Sequence, residues 1–270
     1  MITEPGRLAK GAPPRAPRQG RPAKGAPPEA ALDPARGRSR YWREEAPDRM
    51  KLLCVADTID PLVDSPAVRE RFGDVDLALG AGDLPMEYLS YVVSALNRPL
   101  LFVFGNHNLG DLPHYRPAPG SPPPSPHDLS RDVGATYVGF KMRREGGLIV
   151  LGLGGSLRYN DGQNQFTQAQ MWARVIAKVP ALLWNRLVRG RAVDVVLTHA
   201  PPRGVHDRAD RCHRGFDAFL WLMRAFRPRF LVHGHVHLYD AREPRVTRYR
   251  DTVVVNAYGH AVLDTEASYD

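Results

Sequence analysis

The chain has 270 residues, 43% of them apolar, which is enough to bury a sizeable core and excludes disorder along the whole length. A formal net charge of +8 raises nucleic acid as a partner. No apolar run reaches the roughly 18 to 20 residues of a membrane helix, and the N-terminal stretch lacks the apolar segment of a secretion signal, so a cytoplasmic location and no membrane partner are expected. Cys54 and Cys212 stand far apart without CxxC spacing, which argues against a disulfide framework or a thiolate zinc site.

Residues 1–49 hold nine of the 25 prolines and eleven Lys or Arg against six acids. With hardly an aliphatic core residue, such a segment cannot offset its ordering entropy, and it reads as a disordered Pro/Ala/Arg-rich extension before a domain at 50–270. The extension also reads as an over-extended start ahead of Met50, or as a phosphate-gripping arm.

After Met50 the texture changes. Lys51 to Ala56 is an apolar run ending at Asp57, the pattern of a buried strand handing off to a loop. The same pattern recurs at Val75 to Gly82 before Asp83 and at Pro99 to Phe104 before Gly105-Asn106-His107. It returns at Val193 to Leu197 before Thr198-His199, and at Phe230 to Val232 before His233.

Between these runs, Met86 to Leu96 and Phe216 to Phe226 read as helices. In the second, Phe216, Phe219, Leu220, Met223 and Phe226 follow helical spacing on one face, and Arg227-Pro228 stops it. Residues 109–126 form a Pro-rich loop and 156–165 a polar one, both potential walls of a site. Strands alternating with helices predict an α/β domain with its site at the carboxyl ends of the strands.

Asp57, Asp83, Asn106, His107, His199, His235 and His237 therefore gather at strand ends. Carboxylate, amide oxygen and imidazole suit divalent manganese, iron or zinc, and a shared carboxylate can hold two ions together. His235 and His237 share strand parity and can face one centre; Gly234 breaks the alternation that would add His233.

This ordered set resembles the calcineurin-like metallophosphoesterase family, whose pattern runs D-x-H, G-D, G-N-H-[DE], a histidine, then G-H-x-H. The resemblance spans about 51 to 260. It implies a four-layer α-β-β-α sandwich of two mixed sheets, with one or two divalent ions (Mn, Fe or Zn) and a small-molecule or nucleotide phosphoester as substrate. It further implies that Asp83 bridges the ions, that Asn106, His199 and His235 complete one site, that Asp57 and His237 serve the other, and that His107 faces the leaving group.

Two positions depart from the pattern. Ile59 stands where the family has a metal-binding histidine, and Asp60 points away from Asp57 by parity. Asn108 stands where the family has an acid beside the catalytic histidine, and with Arg158 it is assigned to substrate binding. The leading expectation is a metal-dependent phosphatase or phosphodiesterase. The alternatives are a non-catalytic protein retaining the fold, and a nuclease guided by the basic extension.

Overall fold

The structure, a computed structural model, describes residues 49–117, 120, 134–240 and 242–269. Residues 1–48 of the extension and most of the second half of the Pro-rich loop lie outside the described residues.

Strands β1 (Lys51–Ala56), β2 (Leu77–Gly80), β3 (Leu100–Phe102) and β4 (Thr136–Tyr137) come first. They are followed by β5 (Met142–Glu145), β6 (Leu148–Leu153), β7 (Ser156–Leu157), β8 (Gln165–Phe166) and β9 (Val195–Thr198). The last are β10 (Phe230–His233), β11 (Val246–Tyr249), β12 (Thr252–Asn256) and β13 (Gly259–Asp264). The helices are α1 (Val68–Phe72), α2 (Met86–Leu96), α3 (Leu112–Tyr115), α4 (Gln168–Ile176), α5 (Val179–Arg189) and α6 (Asp217–Phe226).

One sheet runs β13-β1-β2-β3-β4 and the other β11-β12-β10-β9-β6-β5. In the first, β13 is antiparallel to β1 while β1 to β4 are parallel. In the second, β12, β10, β9 and β6 are parallel between antiparallel edges β11 and β5. The parallel strands read as unbroken apolar runs because both their faces are covered.

Alternation along β1 shows how. Leu52 and Cys54 join Leu79, Leu197, Val232 and Val255 in the core between the sheets. Leu53 and Val55 point the other way, onto α1 and α2 with Phe72, Leu89 and Val92. Beyond the second sheet, Leu151, Val196 and Leu231 pack on α4 and α6 through Met171, Phe219 and Leu222. Helix, sheet, sheet and helix thus form the four expected layers, with mixed sheets.

Helix α6 starts one residue later than its periodicity suggests, with Phe216 as its N-cap. Its core face is Ala218, Phe219, Leu222 and Met223, whereas Leu220 and Phe226 are half-buried, because the helix docks with its axis rotated toward Leu222. Arg227 ends it in the left-handed conformation, one residue before Pro228.

The ladders of β2 and β3 are shorter than their apolar runs. Beyond β2, Gly82 at φ 100° and Asp83 at φ 58° leave extended backbone and turn the chain toward the second sheet. We expect Leu197→Ala, which empties a fully buried position between the sheets, to lower unfolding stability by about 2 to 5 kcal/mol in chemical denaturation.

Candidate metal centre

The carboxyl ends of β1, β2, β3, β9 and β10 meet along one edge of the sandwich. Cross-links between their loops are short: Asp57 donates its backbone N–H to the Gly82 carbonyl at 3.1 Å, and Gly234 donates to the His199 carbonyl at 3.0 Å. Asp57, Asp83 and His235 all have left-handed backbones, at φ 67°, 58° and 67°. Each such residue costs on the order of 1 to 3 kcal/mol, and three together mark a place where the surrounding structure enforces an unfavourable chain path.

That path brings Asp83, His199 and His235 together, all buried, with one ligand atom from each within 4.8 Å of the others. His199 is wholly buried, and its Nδ1 lies 2.9 Å from the Ala81 carbonyl. A carbonyl only accepts, so Nδ1 carries the proton and Nε2 carries the lone pair of the neutral ring. Nε2 then faces Asp83 Oδ2 and Asn106 Oδ1, each at 3.2 Å.

Three acceptors turned toward one point without a proton between them form a site that calls for positive charge. Either a second ring proton or a metal cation supplies it. Burial opposes charge on this buried pair, but the attraction between them outweighs it: Asp83 is held down at about 2 and His199 is lifted to about 9 while they face only each other.

The backbone leaves room at this point. A Cβ on Gly105 would sit 2.6 Å from His199 Nε2 and collide with Asp83 Oδ1, so only glycine permits the approach. The donor set and this cradle fit a divalent cation.

The neighbours orient the donors. Asn106 donates Nδ2–H to the Tyr159 hydroxyl at 3.1 Å, which turns its Oδ1 toward His199. Asn164, buried, donates to the carbonyls of Phe104 and Gly105 at 3.2 and 2.6 Å and so holds the loop that carries Asn106. His235 donates Nε2–H to the Cys212 carbonyl at 2.7 Å, leaving Nδ1 with its lone pair. Burial pushes His235 down to about 3, so it is neutral at physiological pH, as a metal ligand must be.

The other positions named from sequence lie around this cluster. His107 is exposed, and its backbone N–H donates to Asp83 Oδ1 at 2.8 Å. Asn108, at φ 50°, donates Nδ2–H to the Asp83 carbonyl at 2.9 Å, so its side chain braces Asp83. Arg158 is exposed, with its guanidinium 3.5 Å from the Gln165 carbonyl.

Both carboxylate oxygens of Asp57 accept from the His235 backbone N–H at 2.9 Å, and a Cβ on Gly234 would lie 2.5 Å from Oδ2. His237 falls outside the three-residue cluster. Its ring stacks on Tyr258 at 4.7 Å and its Nδ1 meets the Tyr239 hydroxyl at 2.7 Å. Ile59 is 45% exposed, and Asp60 bonds His260 Nδ1 at 2.7 Å instead of turning toward Asp57.

Several supports escape sequence reasoning. The carbonyls of Ala81 and Cys212 carry no side-chain signal, and Asn164 lies far along the chain from the loop it clamps. His233 Nδ1 donates to the Gly234 carbonyl, and its Nε2 accepts from His206 Nδ1 at 2.9 Å, with Thr247 closing the chain at 2.8 Å. This relay fastens the loop after β9 to β10. A second group of metal-binding type, Asp210, Cys212 and His213, lies on the same loop and is more exposed; its His213 ring centroid is 5.3 Å from that of His235.

Asp57 yields a stability test. Burial, with the Asp83 charge adding to it, raises its carboxyl to about 6 against the pull of His199. A carboxyl raised on folding makes the folded state bind more protons, so it costs stability increasingly as pH rises from about 4 to above 6. In chelator-treated protein, Asp57→Asn should raise stability by up to about 3 kcal/mol at pH 7 and change it little at pH 4, read from denaturation curves at both.

No curated protein matches the sequence. Among solved structures, one is 14% identical, with 80% of this chain covering 95% of that one at a TM-score of 0.56. TT1561 of Thermus thermophilus is 12% identical, with 77% of this chain covering 89% of it at a TM-score of 0.52. A conserved uncharacterized protein from Streptococcus pneumoniae TIGR4, described as a predicted phosphoesterase, is 10% identical over 81% of this chain and 84% of its own, at a TM-score of 0.34. The first two show a shared fold and nothing of the chemistry. The model of the calcineurin-like phosphoesterase family matches residues 50–239, and the chain belongs to that family.

Proposed function

We propose that the domain hydrolyses phosphoesters at this centre, with Asp83, Asn106, His199 and His235 holding a divalent metal ion. The observation that carries the reading is the convergence of Asp83 Oδ2 and Asn106 Oδ1 on the unprotonated side of His199. When bound, the metal supplies Lewis acidity, which polarises a phosphoryl oxygen and acidifies water. Manganese, iron or zinc suits these donors.

The chain's own residues do the rest. The carbonyls of Ala81 and Cys212 fix the ring orientations of His199 and His235, and Tyr159 fixes the amide of Asn106. Such pre-set donors need no rearrangement as charge builds on phosphorus. His107 follows Asn106 on the exposed rim, tied through its backbone to Asp83, and its imidazole gives a proton to the departing alcohol oxygen as the phosphorus–oxygen bond breaks. Water contributes the new oxygen on phosphorus, so no covalent enzyme intermediate is needed.

Asp57 and His237 serve a second ion more weakly. Ile59 offers no lone pair, Asp60 is committed to His260, and His237 stands apart from the triad. The four-donor site fills first, and the other takes an ion together with substrate. A phosphate monoester or diester, free or part of a nucleotide, is the substrate class. The compartment is the cytoplasm, and the boundary between extension and domain falls at 49 and 50.

Turnover of bis(p-nitrophenyl) phosphate and p-nitrophenyl phosphate with manganese, iron or zinc supplied tests the reading and separates diesterase from monoesterase. Hydrolysis is expected, with kcat lowered roughly 10² to 10⁴-fold by His107→Ala and metal content retained. If the intact protein turns over neither ester with any of these metals, it is a non-catalytic member of the fold.

A further inference from the structure

The loop between His199 and α6 carries a second set of donor atoms. Asp210, Cys212 and His213 each offer one ligand atom within 4.8 Å of the other two. Cys212 Sγ lies 2.8 Å from Asp210 Oδ1 and 3.4 Å from His213 Nδ1, and Nδ1 lies 2.9 Å from the same Oδ1. A carboxylate, a thiol and an imidazole thus form one triangle. Asp210 is exposed, while Cys212 and His213 are half-buried, so the triangle is reached from solvent.

The dimensions of the triangle fit zinc. Bonds of about 2.3 Å to sulfur and about 2.0 to 2.1 Å to nitrogen and oxygen, spread tetrahedrally, put the donor atoms about 3.3 to 3.6 Å apart. The sulfur–nitrogen side already has that length. The two sides that meet at Asp210 Oδ1 are hydrogen bonds, about half an ångström shorter, and rotation of the exposed carboxylate lengthens both. On binding, the Cys212 thiol gives its proton to solvent and a sulfur–metal bond replaces S–H, while His213 keeps its proton on Nε2 and turns the Nδ1 lone pair inward. Three protein donors leave the fourth tetrahedral position to water.

The loop holds these side chains in place without an ion. Arg208 donates its backbone N–H to the His213 carbonyl at 3.2 Å, which closes a turn around all three donors. Gly215 donates its backbone N–H to Asp207 Oδ2 at 3.0 Å, and the Cys212 carbonyl accepts from His235 Nε2 at 2.7 Å. Ordering these donors therefore costs an arriving ion little.

Donor chemistry separates this group from the buried centre. Oxygen and imidazole donors accept manganese, iron or zinc, whereas a thiolate selects zinc over manganese. The absence of CxxC spacing argues against a site built on two thiolates and leaves open a mixed set with one. Cys54, the other cysteine, is fully buried in the core. We propose that Asp210, Cys212 and His213 form a separate zinc site on the rim of the metal centre. Through the Cys212 carbonyl, an ion held there steadies the ring of His235.

Titration of the metal-free full chain with cobalt(II), which occupies zinc sites and gives a thiolate-to-metal charge-transfer band in the near ultraviolet, tests the proposal. Wild-type protein should show the band, and elemental analysis after zinc loading should find one more equivalent in it than in Cys212→Ser. Cys212→Ser should lose the band, and His213→Ala should weaken cobalt binding at this site roughly tenfold or more, with thermal unfolding of the metal-free chains unchanged. The band should persist in Asp83→Asn, because Asp83 belongs to the buried centre. No band in wild-type protein overturns the proposal, as does a band that survives Cys212→Ser. A band that vanishes in a folded Asp83→Asn chain also overturns it, by making Cys212 a ligand of the ion in the buried centre.

Discussion

The Ala81 carbonyl decides what the centre can do. By taking the Nδ1 proton of a fully buried His199, it turns the lone pair of Nε2 toward the oxygens of Asp83 and Asn106. Three donors then share a small volume from which solvent is largely excluded, and their mutual repulsion is relieved only by positive charge. The family's metal-dependent chemistry is the functional form of that need. The left-handed turns at Asp57, Asp83 and His235, and the bare Gly105, are the backbone conditions under which such crowding can exist.

The fold serves this arrangement by placing the carboxyl ends of parallel strands from two sheets along one edge. Each ligating loop begins where a run of buried aliphatics ends, so the hydrophobic core sets the position of each polar residue to within one turn of chain. Finer placement comes from long-range hydrogen bonds: Asn164 on the loop that carries Asn106, Cys212 on His235, and the His206–His233 pair beneath the loop after β9. Because these supports rise from β7–β8 and from the loop that follows His199, rigidity at the centre depends on residues outside the cluster itself.

Much of this was legible in the sequence because it rests on local signals. Apolar runs ending in Asp57, Gly82-Asp83, Gly105-Asn106 and His199 announced both the strands and the edge where they converge, and Met86–Leu96 matched its helical period. Legibility failed where the cause is tertiary. Nothing near Asn164 or Cys212 in the chain signals their partners, and the inward face of α6, centred on Leu222, packs with Leu151, Val196 and Leu231 from strands distant in the chain. Helix α5 is a different case: Leu183, Trp184, Leu187 and Val188 have the spacing of core residues, and only the position of Leu182 against the sheet reveals that they face outward.

The departures at Ile59 and Asn108 have opposite consequences. Ile59 offers no lone pair where the family pattern has a histidine, and Asp60 does not replace one because His260 holds its carboxylate. Asn108 gives up a negative charge beside His107 but gains a bond to the Asp83 carbonyl that steadies Asp83. The account therefore centres on one strong site. Zinc-edge anomalous diffraction from crystals grown with zinc tests it most directly. The account predicts a peak about 2.0 to 2.2 Å from donor atoms of Asp83, Asn106, His199 and His235. A map with no density there, or with its only peak at Asp210, Cys212 and His213, would contradict it.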